Sequence, residues 1–305
     1  MSEETGTSKA GFVALIGAPN AGKSTLLNQL IGQKLAIVTH KAQTTRTRIR
    51  GITMEGKSQI VFVDTPGIFT PKRRLDKAMV AAAWGGADDA DVTALIVDAK
   101  RTRPDHEGFI AILDSLAGAK HPCLLVLNKV DEAPRERLME LAAVANEKAT
   151  FADTFMISAL NGSGVADLRA RLGDMMPEGP YLYPEDQVAD LSQRVLASEI
   201  TREKLFLRMH DELPYATTVE TEGWTVKKDG SVKIDQVVYV ERPGQKGIVL
   251  GKGGAAIKEI GSQARKDIEE ALDIKAHLFL FVKVREKWGD DPERYRMMGL
   301  DFPGK

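Results

Sequence analysis

Cysteine is almost missing from this chain of 305 residues, and the single one, Cys123, cannot close an internal disulfide. It stands in the apolar run 123–127, so we interpret it as a small core residue in a protein of a reducing compartment. Apolar runs of about 18 residues are missing too, and residues 1–10 are polar, which predicts neither a membrane-spanning helix nor a secretory signal. The five histidines are scattered singly, so the sequence predicts no zinc site built on them.

An excess of charge of either sign is also missing. The chain has 42 basic and 43 acidic side chains and a formal net charge of −1, so any surface for a nucleic acid has to be local. A hydrophobic content of 43% is ordinary for a globular protein, and the length predicts two domains.

The first half of the chain alternates strand-like apolar runs with helical patterns. Strands are predicted at 12–16, 48–54, 58–63, 94–97, 123–127 and 154–157. Helices are predicted at 23–31, 75–87, 106–117, 134–146 and 164–175. Most runs are continuous and rich in Val, Ile and Leu, which favours a mostly parallel sheet covered on both faces, and the pair around Glu55-Gly56 predicts one antiparallel edge strand. The predicted class is therefore a doubly wound α/β fold, which binds ligands at the carboxyl ends of its strands.

The first predicted strand leads into a loop of the form GxxxxGKS, which we call the phosphate loop, Gly17-Ala18-Pro19-Asn20-Ala21-Gly22-Lys23-Ser24. Between a strand and a helix that contains Thr25, this pattern predicts a phosphate site, because its backbone N–H groups point inward at the start of the helix. Lys23 is predicted to reach the β- and γ-phosphates, and the Ser24 hydroxyl to bind Mg²⁺. The alternative is a glycine-rich turn that matches by accident.

A second polar motif, Asp64-Thr65-Pro66-Gly67, follows the strand at 58–63. A carboxylate at that strand end can hold Mg²⁺ directly or through water, and glycine lets its N–H approach a γ-phosphate. We therefore predict a metal role for Asp64 and a phosphate contact for Gly67. A Pro-Gly type II turn without function is the local alternative.

A third motif, Asn128-Lys129-Val130-Asp131, follows the strand at 123–127. The Asp131 carboxylate can accept two hydrogen bonds from guanine, whereas adenine would leave that charge unpaired. Asn128 is predicted to fix the N7 side of the base and the Lys129 stem to lie over its ring. After the strand at 154–157 come Ser158-Ala159-Leu160, where the Ala159 N–H is predicted to meet the guanine O6.

These four motifs, in this order at strand ends, resemble the translation-factor-like P-loop GTPases. The resemblance implies GTP and GDP as ligands, GTP hydrolysis, and a switch threonine that binds Mg²⁺ and touches the γ-phosphate. Thr45 is the predicted switch residue, and Thr44 is the second choice.

Two residues bear on the expected rate of hydrolysis. Ile68 stands where Ras-like enzymes carry the glutamine that orients the attacking water, so slow unaided hydrolysis is predicted. Asn20 stands where related GTPases hold a monovalent cation, which predicts a K⁺ that stabilises developing charge. The alternative is that Asn20 only tolerates a strained backbone angle.

Three prolines and a glycine within residues 176–184 predict a linker, after which the pattern changes. For the second part the pattern predicts a helix at 187–210, strands at 215–222 and 232–240, helices at 245–250 and 255–272, and a strand at 277–284. We predict a disordered terminus at 1–10, a GTPase domain at 11–176, a linker at 177–187, an RNA-binding domain at 188–288 and a tail at 289–305. The tail is expected to form a short helix packed on the second domain.

The loop Gly251-Lys252-Gly253-Gly254 joins the last two predicted helices. A simple turn between helices is the alternative, but the order α-β-β-α-α-β resembles a K-homology (KH) domain of the bacterial type, whose GxxG loop clamps single-stranded RNA. Residues 242–258 contain four basic side chains and no acidic one. The predicted RNA contacts are Arg242, Lys246, Ile248, Gly251, Lys252, Gly253, Gly254 and Lys258.

A GTPase domain followed directly by a KH domain resembles a family of bacterial GTPases that act in assembly of the small ribosomal subunit. Further sequence segments match the pattern of that family, among them residues 43–46, 198–204, 212–215 and 241–246. The resemblance implies a cytoplasmic monomer that binds 16S ribosomal RNA near its 3′ end on the 30S subunit. Peripheral association with the inner membrane also belongs to that family, although nothing in this sequence supports it.

Two rival functions remain at this point. A tRNA-modification GTPase would lack a GxxG module after the switch domain, and a passive RNA-binding scaffold would carry a merely structural nucleotide. An ATPase is disfavoured by Asp131.

Overall fold

The computed structural model describes residues 7–41, 44–46, 49–71 and 73–303, which divide into two units. The first unit takes its described residues from Met1–Gln33, Thr45–Asp190 and Gly299–Lys305, and the second from Lys34–Thr44 and Leu191–Met298. None of the helices in these ranges is long and apolar enough to cross a bilayer.

The first unit is built on a six-stranded sheet. Its strands are β1 Lys9–Ile16, β2 Ile49–Glu55, β3 Ser58–Asp64, β4 Val92–Asp98, β5 Cys123–Asn128 and β6 Asp153–Ile157, in the order β2-β3-β1-β4-β5-β6. All neighbouring pairs are parallel except β2 with β3. Its helices are α1 Lys23–Ile31, α2 Arg74–Asp88, α3 Glu107–Leu116, α4 Arg135–Lys148 and α5 Val165–Met175. The predicted doubly wound sheet with one antiparallel edge strand is confirmed.

The topology of this sheet decides where a ligand can bind. β1 lies between β3 and β4. The chain therefore places β2 and β3 on one side of β1 and then crosses to place β4 on the other side. β4 and β5 are buried along their whole length, which explains their unbroken apolar sequences. The loops at the carboxyl ends of β1, β3, β4 and β5 therefore meet at a topological switch point.

Residues 183–190, which span the end of the predicted linker and the start of the predicted RNA-binding domain, are bonded to the edge of the first unit. The Ile52 N–H donates to the Val188 carbonyl at 2.9 Å, and the Asp190 N–H donates to the Arg50 carbonyl at 3.1 Å. The Gln59 amide nitrogen donates to the Tyr183 carbonyl at 2.8 Å. The helix expected from residue 187 consequently begins only at Gln193, because the preceding residues pair with β2.

The second unit packs three of its helices on one face of a three-stranded sheet. Its elements are α6 Gln193–Arg208, β7 Thr217–Val226, β8 Val232–Val240, α7 Pro243–Leu250, α8 Ala255–Leu272, β9 Ala276–Val284 and α9 Pro292–Met297. The order is β7-β8-β9, with the first pair antiparallel and the second parallel. Leu205, Val238, Val249, Ile260 and Val282 form part of the core between helices and sheet. The predicted order α-β-β-α-α-β is confirmed.

The chain after β9 stays with the second unit as far as Met298. Trp288 is buried and its indole N–H donates to the Ala216 carbonyl at 3.0 Å. Tyr295, on α9, is buried as well. The expected short helix packed on the second domain is thus present.

Candidate nucleotide site and RNA interface

Backbone geometry makes glycine necessary at two positions of the phosphate loop. Gly17 has φ 147°, and a Cβ there would lie 2.2 Å from the Ile96 carbonyl oxygen. Gly22 has φ 99° just before α1, and a Cβ there would lie 2.2 Å from Nδ2 of Asn128. The loop is therefore drawn tightly around the space in front of the helix, as a backbone cradle for an anion requires.

Lys23, the first residue of α1, is buried beneath this loop. Its ammonium donates to the carbonyl oxygens of Gly17 and Ala18, each at 3.1 Å. Burial lowers the pKa of Lys23 to about 8, and the nearby Asp64 carboxylate opposes that shift. The amine is still mainly protonated at neutral pH, so it can bind a phosphate.

Three oxygen-bearing side chains meet beside Lys23. The Ser24 hydroxyl lies 2.7 Å from Asp64 Oδ2 and 2.9 Å from the Thr45 hydroxyl, and the Thr45 hydroxyl donates to the same Oδ2 at 3.1 Å. Asp64 is fully buried. Burial raises the pKa of Asp64, while Lys23 and the two hydroxyls oppose the shift. We call these three residues the oxygen cluster.

The oxygen cluster fits a hard cation. Asp64 Oδ1 is buried and has no hydrogen-bond partner among the residues that the structure describes, and an unpaired buried carboxylate oxygen is costly. Hydroxyl and carboxylate oxygens are ligands that Mg²⁺ accepts. Ser24, Thr45 and Asp64 would therefore hold Mg²⁺ directly or through water.

The structure distinguishes the two candidate switch threonines. Thr45 reaches the oxygen cluster and is buried. The Thr44 hydroxyl instead donates to the Lys41 carbonyl at 2.8 Å and lies 2.7 Å from the Thr39 hydroxyl. Gln43, between the motifs, lies outside the described residues.

Gly67 lies against the phosphate loop, where a Cβ would come within 2.8 Å of the Pro19 nitrogen. The next residue, Ile68, donates its N–H to the Gly17 carbonyl at 2.9 Å. The loop after β3 therefore borders the predicted γ-phosphate position, and Ile68 presents no hydrogen-bonding side chain there.

Asn128 ties the predicted base-binding loops to the phosphate loop. Its Nδ2 donates to the Ala21 carbonyl at 2.8 Å, and its Oδ1 accepts from the N–H groups of Lys129 and Ala159 at 2.8 and 2.9 Å. The Ala159 N–H thus already donates to Asn128 Oδ1. To contact guanine O6 as predicted, this N–H would have to be shared between the two oxygens.

The remaining residues predicted to contact the nucleotide differ in their exposure. Asp131 and Leu160 are exposed and Ser158 is buried. Lys129 has a left-handed backbone, φ 67°, and its ammonium donates to the Asn20 carbonyl at 2.9 Å. Thr25 is half-buried in α1.

Sequence reasoning missed Asp98, the last residue of β4. Its Oδ2 lies 2.5 Å from the Lys129 ammonium, and it pairs in register with Asn128 on the neighbouring strand. An acidic residue at the carboxyl end of a predicted parallel strand was the signal that could have identified it. Asp98 holds the Lys129 side chain beside the phosphate loop.

In the second unit the loop between α7 and α8 depends on glycine. Gly251, Gly253 and Gly254 have φ 71°, 59° and 79°. A Cβ at Gly251 would lie 2.7 Å from the Ala256 Cβ, whereas nothing lies within 4 Å of a Cβ at Gly253 or Gly254. The loop thus presents an open backbone, as close approach of a nucleic-acid phosphate requires.

The side chains predicted to contact RNA are presented to solvent around this loop. The four basic ones, Arg242, Lys246, Lys252 and Lys258, are all exposed. Ile248 is 62% exposed, whereas the next residue, Val249, is buried in the core. A cavity of about 660 Å³ opens beside α7, with Met209, Leu213 and Ile248 in its lining. This arrangement suits single-stranded RNA, because the basic side chains can contact its phosphates and the exposed apolar side chain can cover a base.

Comparisons with known proteins identify the domains and the family of the chain. The family model described as 50S ribosome-binding GTPase matches residues 12–129, and the KH domain model matches residues 212–289. The chain is 60% identical over 298 residues to GTPase Era of Bradyrhizobium sp. (strain ORS 278), covering 98% of this chain and 96% of the relative. It is 62% identical over 296 residues to GTPase Era of Rhizobium meliloti (strain 1021), covering 97% and 94%.

Two solved structures are similar over nearly the whole chain. A variant of Aquifex aeolicus Era bound to GDP·AlF4⁻ is 35% identical, with a TM-score of 0.87 and coverage of 95% of this chain and 99% of the other. Era in complex with MgGDPNP and nucleotides 1506–1542 of 16S ribosomal RNA is 36% identical, with a TM-score of 0.88 and coverage of 96% and 99%.

The Gly17→Ala variant tests the phosphate loop. We expect its affinity for GDP to fall about tenfold or more, because the added Cβ meets a backbone oxygen and strained backbone conformations cost about 1–3 kcal/mol. Isothermal titration calorimetry measures the change. Gly32→Ala is the matched control, since Gly32 at the far end of α1 has φ 80° and open space around it. Equal affinities of the two variants would contradict the cradle geometry.

Asp131→Asn tests the base selection. An amide can donate to the 2-carbonyl of xanthine but cannot replace a carboxylate that accepts from guanine. Guanine-nucleotide affinity should fall about 100-fold or more, since each hydrogen bond to a charged group contributes about 1.5–3 kcal/mol, while xanthine nucleotides gain. Competition binding with GDP and XDP measures both. An unchanged preference for guanine would remove Asp131 from the site.

Proposed function

Because the chain belongs to the Era family of GTPases, we propose that it is a nucleotide-controlled switch that binds 16S ribosomal RNA near its 3′ end through its KH domain and acts in assembly of the 30S subunit. The observation that carries the proposal is the presence, in one chain, of the oxygen cluster beside Lys23 and an exposed, basic GxxG loop. A solved relative that binds both MgGDPNP and this region of the RNA supports it.

We assign the domains and site residues as the sequence predicted them. The GTPase domain is residues 11–176, the linker 177–187 and the KH domain 188–288. The phosphate loop binds the phosphates, Asn128, Asp131 and Ala159 contact guanine, and the GxxG loop with its basic rim contacts RNA. A cytoplasmic location, a monomeric state and peripheral contact with the inner membrane complete the proposal, supported by the family resemblance alone.

The chain's own residues divide the catalytic work. Lys23 orients the β- and γ-phosphates, Gly67 offers its N–H to the γ-phosphate, and Thr45 responds to that phosphate. A bound Mg²⁺ supplies charge that neutralises the phosphate oxygens during transfer. Because Ile68 cannot hydrogen-bond water, orientation of the attacking water has to come from elsewhere, and we infer slow turnover without a partner.

Binding of GTP is proposed to shift the population of RNA-competent molecules. The γ-phosphate orders the residues around Thr45 and Gly67, and this ordering alters the availability of the RNA groove. By linkage, RNA must then alter the affinity for GTP by the same factor.

Turnover in potassium and sodium buffers of equal ionic strength tests the predicted cation. If Asn20 helps to hold K⁺, GTP hydrolysis should be about tenfold or more faster in potassium, as expected for a charge aimed at the reacting oxygens. Asn20 has φ 63°, so Asn20→Gly keeps the backbone conformation and removes only the amide. Loss of the potassium effect in this variant supports a ligand role, and equal rates of the unaltered chain in both salts would discard the cation.

RNA affinity of Lys252→Glu tests the interface. Reversing one charge beside the backbone clamp should weaken binding of a 16S 3′-end oligonucleotide about tenfold at moderate salt. Lys228→Glu, at a lysine that is also exposed and lies in the turn between β7 and β8, is the matched control. Fluorescence anisotropy measures both variants. Equal weakening would show an unspecific charge effect and contradict the assigned interface.

The same titration, repeated with GDP and with a non-hydrolysable GTP analogue, tests the switch. The unaltered chain should bind the oligonucleotide more tightly with the analogue, and Lys23→Ala should abolish the difference. Equal RNA affinity of the two nucleotide forms would leave only a passive scaffold. Crosslinking to cellular RNA with and without the analogue then identifies the RNA.

A further inference from the structure

The second unit contains a segment that the proposed function leaves unexplained. Lys34–Thr44 lies between α1 and Thr45, and its described residues, 34–41 and 44, belong to the second unit. Lys34 and Val38 contact Glu203 on α6, and the Thr44 carbonyl contacts Arg202. Both α6 residues lie in the stretch 198–204 that fits the family pattern. We call the described residues of Lys34–Thr44 the switch segment.

Glu203 holds the start of the switch segment. Its Oε2 lies 2.6 Å from the Lys34 ammonium, and its Oε1 accepts the Val38 N–H at 2.8 Å. Asp267 on α8 lies 3.3 Å from the same ammonium and also pairs with Lys204. The Glu203 side chain is only 5% exposed, so these bonds are poorly screened by solvent.

Arg202 holds the end of the switch segment. Its guanidinium is almost fully buried, donates through Nε to Glu199 at 2.8 Å and lies 5.1 Å from the centre of the Phe206 ring. The Nη2 group donates to the Thr44 carbonyl oxygen and to Glu199. The bonded carbonyl belongs to the residue immediately before Thr45.

The middle of the switch segment is held by the carboxyl end of α6. The Lys41 ammonium donates to the carbonyl oxygens of Phe206 and Met209. Phe206 lies in the last turn of the helix and Met209 directly follows its end. Carbonyls at this end lack partners within the helix and favour positive charge. Helix α6 therefore contacts the switch segment at its start, middle and end.

This arrangement constrains the oxygen cluster through the covalent chain. Thr44 and Thr45 share one planar peptide bond, so fixing the Thr44 carbonyl leaves few rotations between Arg202 and the Thr45 hydroxyl. That hydroxyl contacts Ser24 and Asp64. The residue that carries this hydroxyl thus directly follows a carbonyl held by Arg202.

We propose that Arg202 and Glu203 are positioning residues for Thr45, which anchor the switch segment so that binding of a nucleoside triphosphate with Mg²⁺ is favoured over binding of the diphosphate. This inference rests on the proposed GTPase function and names the residues through which its switch is regulated. A diphosphate has no γ-phosphate for Thr45 to contact. The anchoring of the switch segment by Arg202 and Glu203 therefore changes the affinity for the triphosphate alone. Anything that moves α6, such as bound RNA, changes that affinity in return.

Arg202→Lys in the full-length chain tests the anchor. Lysine keeps the charge but cannot form the guanidinium's three directed bonds, two to Glu199 and one to the Thr44 carbonyl. The matched control is Arg194→Lys, the same substitution at an exposed position in the first turn of the same helix. Lys34→Met, at a position one-third exposed, removes the other end of the anchor at less risk to folding. Calorimetry with GDP and with a non-hydrolysable GTP analogue, both with Mg²⁺, gives the affinity ratio.

We expect Arg202→Lys and Lys34→Met each to lower analogue affinity about tenfold, the effect of one lost hydrogen bond to a charged group, with GDP affinity unchanged. GTP turnover should also require more Mg²⁺ for half-maximal rate, which a purely structural role would not cause. Arg194→Lys should change neither quantity.

Equal losses for analogue and GDP, or no loss in variants that melt like the unaltered chain, would overturn the anchor while leaving the GTPase assignment intact. Failure of the unaltered chain to bind the analogue would overturn the proposed function itself, and the anchor with it. The two failures are therefore distinguishable.

Discussion

One carboxylate oxygen, Oδ2 of Asp64, accepts hydrogen bonds from both Ser24 and Thr45. The arrangement of the candidate nucleotide site depends on this buried contact. It joins the first turn of α1, the end of β3 and the residue after the switch segment. A buried carboxylate is tolerated only beside compensating charge and donors, which Lys23 and the two hydroxyls supply. The parallel sheet brings these groups together because its strand ends share one edge.

Most of this site was predictable because parallel strand ends converge whatever the details of packing. The phosphate loop, Asp64 and Asn128 needed only their order and their places after apolar strands. Asp98 was missed although it directly follows a predicted parallel strand, and only the β4–β5 register shows that it lies beside the third motif. The choice between Thr44 and Thr45 depended on contacts of the switch segment, which a local pattern does not contain. The late start of α6 likewise reflects pairing with β2, which overrides local helix propensity.

The chain uses glycine for two different purposes. In the phosphate loop, a Cβ at Gly17 or Gly22 would lie 2.2 Å from an atom of a neighbouring residue, so a side chain there would displace the cradle. In the GxxG loop, Gly253 and Gly254 face open space, so their value lies in leaving the backbone accessible to a partner. The first use builds an enclosed anion site and the second an open one. Covalent continuity at Thr44–Thr45 links the unit that holds the enclosed site with the unit that presents the open one.

Hydrogen exchange measured by mass spectrometry on the full-length chain tests this link most directly. With Mg²⁺ present, replacing GDP by a non-hydrolysable GTP analogue should slow amide exchange at Thr45 and Arg46, in the switch segment and in α6, because one bonded network connects them. Slower exchange at Thr45 alone, or identical exchange in both nucleotide states at saturating ligand, would contradict the account.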